Sequence, residues 1–197
     1  TRDAIRVVAR RGELMEAAVP AGVGAMAAVL GAEAALIEET LSDIPEVWIA
    51  NYNCPGQIVI SGKKEAVEAA AEALKARGVK RVLMLNVSGP FHSGLLREAG
   101  EELGKVLAET EIHPLRIPYY ANVTGDKVED AAKVRELLTE QVYSSVRFEQ
   151  SIRNMLSAGV DTFYELGPGK TLAGFVKKID RAATVVNIET MEDLAKL

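Results

Sequence analysis

Two histidines, His92 and His113, and one cysteine, Cys54, are the whole supply of soft-metal and disulfide chemistry in 197 residues. A lone cysteine excludes an internal disulfide and any cysteine-based zinc cluster. Two widely separated histidines add no ligand set, so no metal is expected. Aromatic residues make up only 5%, the net charge is −5 and no block of basic residues occurs, which argues against a nucleic-acid-binding role. No apolar run approaches the roughly 20 residues needed to span a bilayer, and the first residues carry no signal-peptide pattern. Low-complexity segments and short repeats are absent as well. Also missing is Gly-x-Ser-x-Gly, the strand-to-helix elbow that exposes a nucleophilic serine in α/β hydrolases. The expectation is a soluble cytoplasmic protein without a cofactor of its own.

What is present is an ordinary globular composition, 48% hydrophobic and 26% charged, sized for one large domain or a domain with a smaller insert. The first helix is predicted over Thr1 to about Val19, with Ile5, Val8, Ala9, Gly12 and Met15 on its apolar face. Its abrupt start leads us to expect that something N-terminal is missing. A compact unit follows, with strand Gly24–Leu30, helix Ala32–Asp43, strands Val47–Asn53 and Gln57–Ser61 joined by a Cys54-Pro55-Gly56 turn, helix Lys64–Arg77 and strand Val79–Val87. This β-α-β-β-α-β order is the split βαβ, or ferredoxin-like, pattern. Beyond it lie helix Ser93 to about Glu111, strand Arg116–Ala121, helices Asp130–Val142 and Val146–Ala158, strand Asp161–Leu166, helix Thr171–Ile179 and strand Ala183–Ile188. Strands alternating with helices argue for a parallel sheet. The predicted organisation is residues 1–21 as a helix of the large domain, 22–88 as the ferredoxin-like insert, and 89–197 as the C-terminal part of the large α/β domain.

Chemistry concentrates on Val87-Ser88-Gly89-Pro90-Phe91-His92-Ser93-Gly94, where a strand runs through a Gly-Pro turn into a helix. His92 at a helix N-terminus is biased toward its neutral form, able to accept a proton. The bland alternative is a histidine that only caps or packs. Arg11 is either an ordinary solvated or paired arginine, with Glu13 or Glu16 as partner, or a bidentate clamp for a carboxylate. Asn51 and Asn53 serve a turn or supply an active-site amide. Cys54 reads as a small packed residue, and His113 as a surface residue. Gly167-Pro168-Gly169-Lys170 is not a P-loop and reads as a tight strand-to-helix turn.

Taken together, several motifs resemble the malonyl-CoA:acyl carrier protein transacylases of fatty-acid synthesis. They are Arg11-Gly12-Glu13-Leu14-Met15, Gly24-Ala25-Met26-Ala27-Ala28-Val29, Asn51-Tyr52-Asn53 with Pro55-Gly56-Gln57, Ser88-Gly89-Pro90-Phe91-His92-Ser93, Gln141-Val142-Tyr143-Ser144-Ser145-Val146-Arg147-Phe148, and Glu165-Leu166-Gly167-Pro168-Gly169-Lys170. The resemblance implies an α/β-hydrolase-like acyltransferase domain with a ferredoxin-like insert. It implies a ping-pong cycle through an acyl-serine. His92 is then the general base and acid, Arg11 the partner of the malonyl carboxylate, and Asn51 an active-site amide. Gln141 holds the histidine ring through its backbone carbonyl, and Phe91 narrows the acyl pocket. The substrate is malonyl-CoA and the partner is acyl carrier protein, whose phosphopantetheine receives the acyl group. Lys63, Lys64, Lys75, Arg77, Lys80 and Arg81 are candidates for steering that acidic partner. In this family the serine elbow and an oxyanion-hole glutamine precede the matched region, so the chain alone is expected to be inactive. Two alternatives remain open: a non-catalytic carrier-binding module and an acyltransferase piece of a polyketide synthase.

Overall fold

A computed structural model describes residues 2–196; Thr1, at the head of the first predicted helix, and Leu197 lie outside the described residues. The first helix, α1, is Arg2–Ala17, with Asp3 in its first turn. Its inward face differs from the predicted one. Ile5 and Val8 are each 66% exposed, whereas Val7, Leu14 and Met15 pack against the neighbouring helix. Arg11 falls on the Val7–Leu14 stripe at four-and-three spacing, and is half-buried for that reason.

Next come β1 (Gly24–Leu30), α2 (Ala34–Ser42), β2 (Val47–Cys54), β3 (Gln57–Lys63), α3 (Lys64–Ala76) and β4 (Arg81–Met84). The strands form one antiparallel sheet in the order β2-β3-β1-β4. This is the ferredoxin-like arrangement, with Ile37, Leu41, Val67, Ala70 and Leu74 of the two helices closing the core over Val29, Ile49 and Ile60. Cys54 is buried at 1% exposure, and burial pushes its thiol pKa up, as suits a packed residue. β4 is shorter than the predicted Val79–Val87. It is an edge strand, and after Leu85 donates to the Met26 carbonyl at 2.9 Å the chain leaves the sheet. Leu83 and Met84 on this edge strand are exposed, and the apolar run continues beyond it with Leu85 and Val87, also exposed.

A Gly-Pro turn then reaches back across the sheet. A Cβ at Gly24 would run into the Pro90 ring, so the start of β1 must be glycine for the turn to sit there. The following helix begins as a 3₁₀ turn, Gly94–Leu96, and continues as α4 (Arg97–Ala108). β5 (Tyr119–Tyr120) pairs antiparallel with β6 (Lys127–Val128), a short hairpin in place of the predicted strand Arg116–Ala121. α5 (Val134–Glu140) ends before Gln141, and α6 (Phe148–Ser157) starts after Val146 rather than at it. β7 (Thr162–Leu166) and β8 (Thr184–Ile188) form a parallel pair around α7 (Thr171–Ile179), and α8 (Met191–Leu194) follows. This two-stranded pair is the parallel sheet that the βα alternation predicts, and Tyr164 and Leu166 on it are exposed at 54% and 74%. Among the described residues no helix is long and apolar enough to cross a membrane.

The Gly167–Lys170 turn offers no anion site. Glu165 fills the N-terminus of α7 itself, accepting from Leu172 N at 3.1 Å, Ala173 N at 2.8 Å and Asn187 Nδ2 at 2.8 Å. Burial opposes its charge, but the bonds from Ala173, Asn187 and Leu172 outweigh that and hold the carboxyl below its usual range.

Candidate active site

A cleft of about 560 Å³ opens where α1, β2, β3 and the Gly-Pro turn converge. Arg11 enters it from α1, Asn51 from β2, and Phe91 and His92 from the turn. Four of the five residues singled out in the sequence thus line one cavity although they come from three separated segments. The fifth, Gln141, stands behind the histidine.

His92 adopts a left-handed backbone, φ 58°, which a non-glycine residue takes up only when its surroundings hold it there. Two features do so. Ser93 is buried, its hydroxyl donating to the Pro90 carbonyl at 2.6 Å and closing the turn. The His92 ring is tied at Nδ1, 2.9 Å from the Gln141 carbonyl. A carbonyl only accepts, so Nδ1 carries the proton and Nε2 keeps its lone pair. The Gln141 side-chain Nε2 also lies 3.5 Å from Nδ1, a contact that would need the opposite tautomer. It is the longer of the two, and that amide donates instead to the Ser144 carbonyl at 3.2 Å.

Burial lowers the His92 pKa, the Gln141 carbonyl opposes the shift, the Arg11 charge adds to it, and the Ser144 carbonyl opposes it again. The ring is therefore neutral at physiological pH. The leading cause is desolvation, not the helix dipole invoked from sequence. Burial also lowers the Arg11 pKa, yet its guanidinium remains charged. Among the described residues Arg11 has no carboxylate partner. Arg10 takes Glu13, at 2.9 Å. Asn51 lies inside β2, not in the turn, and neither it nor Asn53 makes a side-chain hydrogen bond among the described residues. His113 is exposed, with Glu111 3.5 Å away.

The Gln141 carbonyl is placed by a clamp that the sequence did not disclose. Ile49 pairs with Ile60 and Asn51 with Val59, leaving Ala50 as an extra residue in β2. At this bulge Val146 N donates to the Ala50 carbonyl at 2.7 Å and Tyr52 N to the Val146 carbonyl at 2.8 Å. The Ser145 hydroxyl donates to the Ile49 carbonyl. Residues 145–147 thereby cover the open edge of the sheet, and the chain just before them is fixed beside His92. Helical spacing from Val146 onward hid this edge pairing.

Serines near the site do not complete it. Ser88 lines the cleft and Ser93 is buried beneath it, but no serine hydroxyl among the described residues bonds to His92. A neutral, tethered imidazole beside an unpaired arginine and an unpaired amide can move a proton next to a bound carboxylate. The acyl transferase domain model matches residues 1–192. The chain belongs to the acyl transferase domain family.

Within the family, the chain is 46% identical to the malonyl CoA-acyl carrier protein transacylase of Bacillus subtilis (strain 168), over 98% of the chain and 62% of that protein. It is 40% identical to the Staphylococcus aureus (strain MRSA252) protein of the same name, over 98% of the chain and 64% of that protein. Among solved structures, the Clostridium perfringens malonyl CoA-acyl carrier protein transacylase superposes with a TM-score of 0.95 at 42% identity, covering 98% of the chain and 62% of its counterpart. A malonyl-transacylase in complex with a type II PKS acyl-carrier protein superposes with a TM-score of 0.94 at 36% identity, covering 98% and 63%. The chain spans about 62% of the length of the curated relative first named. The fold is the α/β acyltransferase fold of these structures.

Proposed function

We propose that this chain forms the malonyl-binding and proton-transfer half of a malonyl-CoA:acyl carrier protein transacylase, working in the cytoplasm in fatty-acid synthesis. One observation carries the reading: Arg11, Asn51, Phe91 and His92 share one cleft, with the histidine tautomer set by the Gln141 carbonyl. The unpaired Arg11 fork receives the free carboxylate of malonate, which favours a diacid half-ester over an acetyl group. Phe91, packed against Met26, Ala50 and Val59, bounds the acyl end of the cleft.

In this reading a serine from a part of the protein beyond this sequence attacks the thioester carbonyl, and His92 Nε2 takes its proton. The tetrahedral adduct collapses to the acyl-serine and the coenzyme A thiol leaves with that proton. The thiol of phosphopantetheine on the carrier protein then gives a proton to Nε2 and attacks the acyl-serine, and the serine is reprotonated as it leaves. The Gln141 carbonyl does for the imidazole what the acid of a triad does: it fixes the tautomer and supports the transient positive charge.

The test is intact mass spectrometry with malonyl-CoA. A protein that combines this chain with the remaining length of its relatives should gain one malonyl adduct and lose it to acyl carrier protein. The 197-residue chain alone should gain none. An adduct on the isolated chain, or none on the longer protein, rejects the assignment. The absence of Gly-x-Ser-x-Gly from the sequence favours one second reading, a carrier-binding module without catalysis. Binding of carrier protein with no adduct on the longer protein would select it.

A further inference from the structure

A second cavity, of about 340 Å³, also opens on His92 and shares no other lining residue with the first. Its walls include Trp48, Tyr143, Arg97 and Arg147. The two arginines set it apart. Neither makes an ion pair or a side-chain hydrogen bond among the described residues. Possible competitors are engaged elsewhere: Glu149 by Arg153 at 2.6 Å, and Glu38 by the Tyr52 hydroxyl at 2.8 Å.

Each guanidinium lies over an aromatic ring instead, Arg97 4.5 Å from the Tyr143 centroid and Arg147 5.3 Å from that of Tyr52. The Tyr52 phenol, pushed up to about 12 mainly by burial and then by Glu38, stays neutral under Arg147. Stacking uses the face of a guanidinium and leaves its N–H edge free, which holds the group in place without neutralising it. Two such edges beside one cavity match an oxyanion with several acceptor oxygens better than a single carboxylate does.

We propose that this cavity is a phosphate subsite for the arm of the thioester substrate. The acyl group occupies the Arg11 cleft, the thioester lies at His92, and the phosphate end of the pantetheine arm is held by Arg97 and Arg147. The proposal rests on the acyl-transfer reading above and adds a second anion contact on the other side of the histidine. Two substrates carry the same phosphate, coenzyme A and the phosphopantetheine of a carrier protein.

The experiment titrates the chain with coenzyme A and, separately, with pantetheine, which has the same thiol arm and no phosphate. Coenzyme A should bind at least about tenfold more tightly. Arg97→Gln and Arg147→Gln should each weaken coenzyme A about tenfold and leave pantetheine unchanged, because one charge-assisted contact is lost. Arg147→Lys, which keeps the charge and loses the fork, should fall between. Equal losses for both ligands, no loss for either, or no preference of the native chain for coenzyme A overturns the subsite.

Repeating the titration with phosphopantetheinylated acyl carrier protein separates the sources. A loss with coenzyme A alone places the subsite in the first half-reaction, and a loss with both places it in each. Malonate, which has no arm, tests the underlying reading independently. It should shift the His92 ring resonances in the native chain and not in Arg11→Gln. A chain that binds coenzyme A through both arginines but ignores malonate retains the phosphate subsite and loses the malonyl assignment; the reverse result loses only the subsite.

Discussion

Two glycines four residues apart on α4 allow a sharp test of how His92 is held. A Cβ at Gly100 would sit 2.6 and 2.7 Å from two ring carbons of Tyr143 and 3.0 Å from the Thr139 carbonyl. A Cβ at Gly104 would meet only the Thr139 side chain, at 3.2 Å and beyond. Replacing a helical glycine by alanine contributes about 1 kcal/mol of stability through backbone entropy. Overpacking costs about 1–3 kcal/mol. At Gly100 the clash falls on a ring and a main-chain carbonyl, neither of which yields cheaply, so the strain lies toward the upper end. Gly100→Ala should therefore be destabilising by about 1–2 kcal/mol, a fall in Tm of about 2–8 °C for a chain of this size. Gly104→Ala should be neutral or slightly stabilising. The displaced segment, Thr139 to Tyr143, carries the Gln141 carbonyl, so Gly100→Ala should also loosen the tether on Nδ1. That carbonyl opposes the burial of the ring, so loosening it should move the His92 pKa further down. Thermal unfolding of both variants, with ring NMR of His92 against pH, reads both effects. If Gly100→Ala is as stable as Gly104→Ala, or if it is destabilised while His92 titrates unchanged, the proposed coupling between α4 packing and the histidine is wrong.

Leu96 is fully buried among Met15, Leu103, Leu107 and Val142, so Leu96→Ala should cost about 2–5 kcal/mol in urea unfolding, and a loss below 1 would mean that the site relaxes around the cavity. Glu165 has a depressed pKa in the folded chain, so its contribution is present above the unfolded carboxylate pKa and is lost as pH falls through the folded value. Glu165→Gln should flatten that acid limb, and an unchanged stability profile would contradict the role of Glu165 at the start of α7. In a longer protein that completes the site, Lys64→Glu with Arg81→Glu should raise KM for acyl carrier protein, and unaltered kinetics would dismiss the steering idea.

The strands and helices of the ferredoxin-like unit were legible because their periods are clean and Gly56 and Gly78 punctuate them. α1 was legible as a helix but not in its orientation. Ile5, Val8 and Met15 look like a face, yet the neighbour it meets, α4, selects Val7, Leu14 and Met15. The short β5–β6 hairpin carries too few residues for any pattern. α8 could have been found, since Thr190 and Asp193 form a capping box, a signal visible in the sequence. At the site, Arg11, Asn51, Phe91 and His92 were recognised through their motifs, since spacing alone left each one ambiguous. The bulge at Ala50 and the strand-like path of residues 145–147 depend on a partner about a hundred residues away, so no local pattern announces them. Arg97 went unremarked, and Arg147 entered only as part of a motif with no role of its own, because an exposed arginine looks the same in sequence whether or not it has a partner.

The tether on His92 is a peptide carbonyl rather than a side chain. A carboxylate in that position could be protonated in acid, mutated away by one codon, or lost to a competing cation. A carbonyl has no proton to gain in any physiological range and survives every substitution that keeps the path of the chain. The imidazole is thus oriented by topology: what matters is the route of the backbone from α5 to the edge of β2, to which the Gln141 side chain contributes only through its own bond to the Ser144 carbonyl. An inventory of side chains would miss the partner altogether, and a mutation that reroutes the loop, wherever it falls, would count as an active-site mutation.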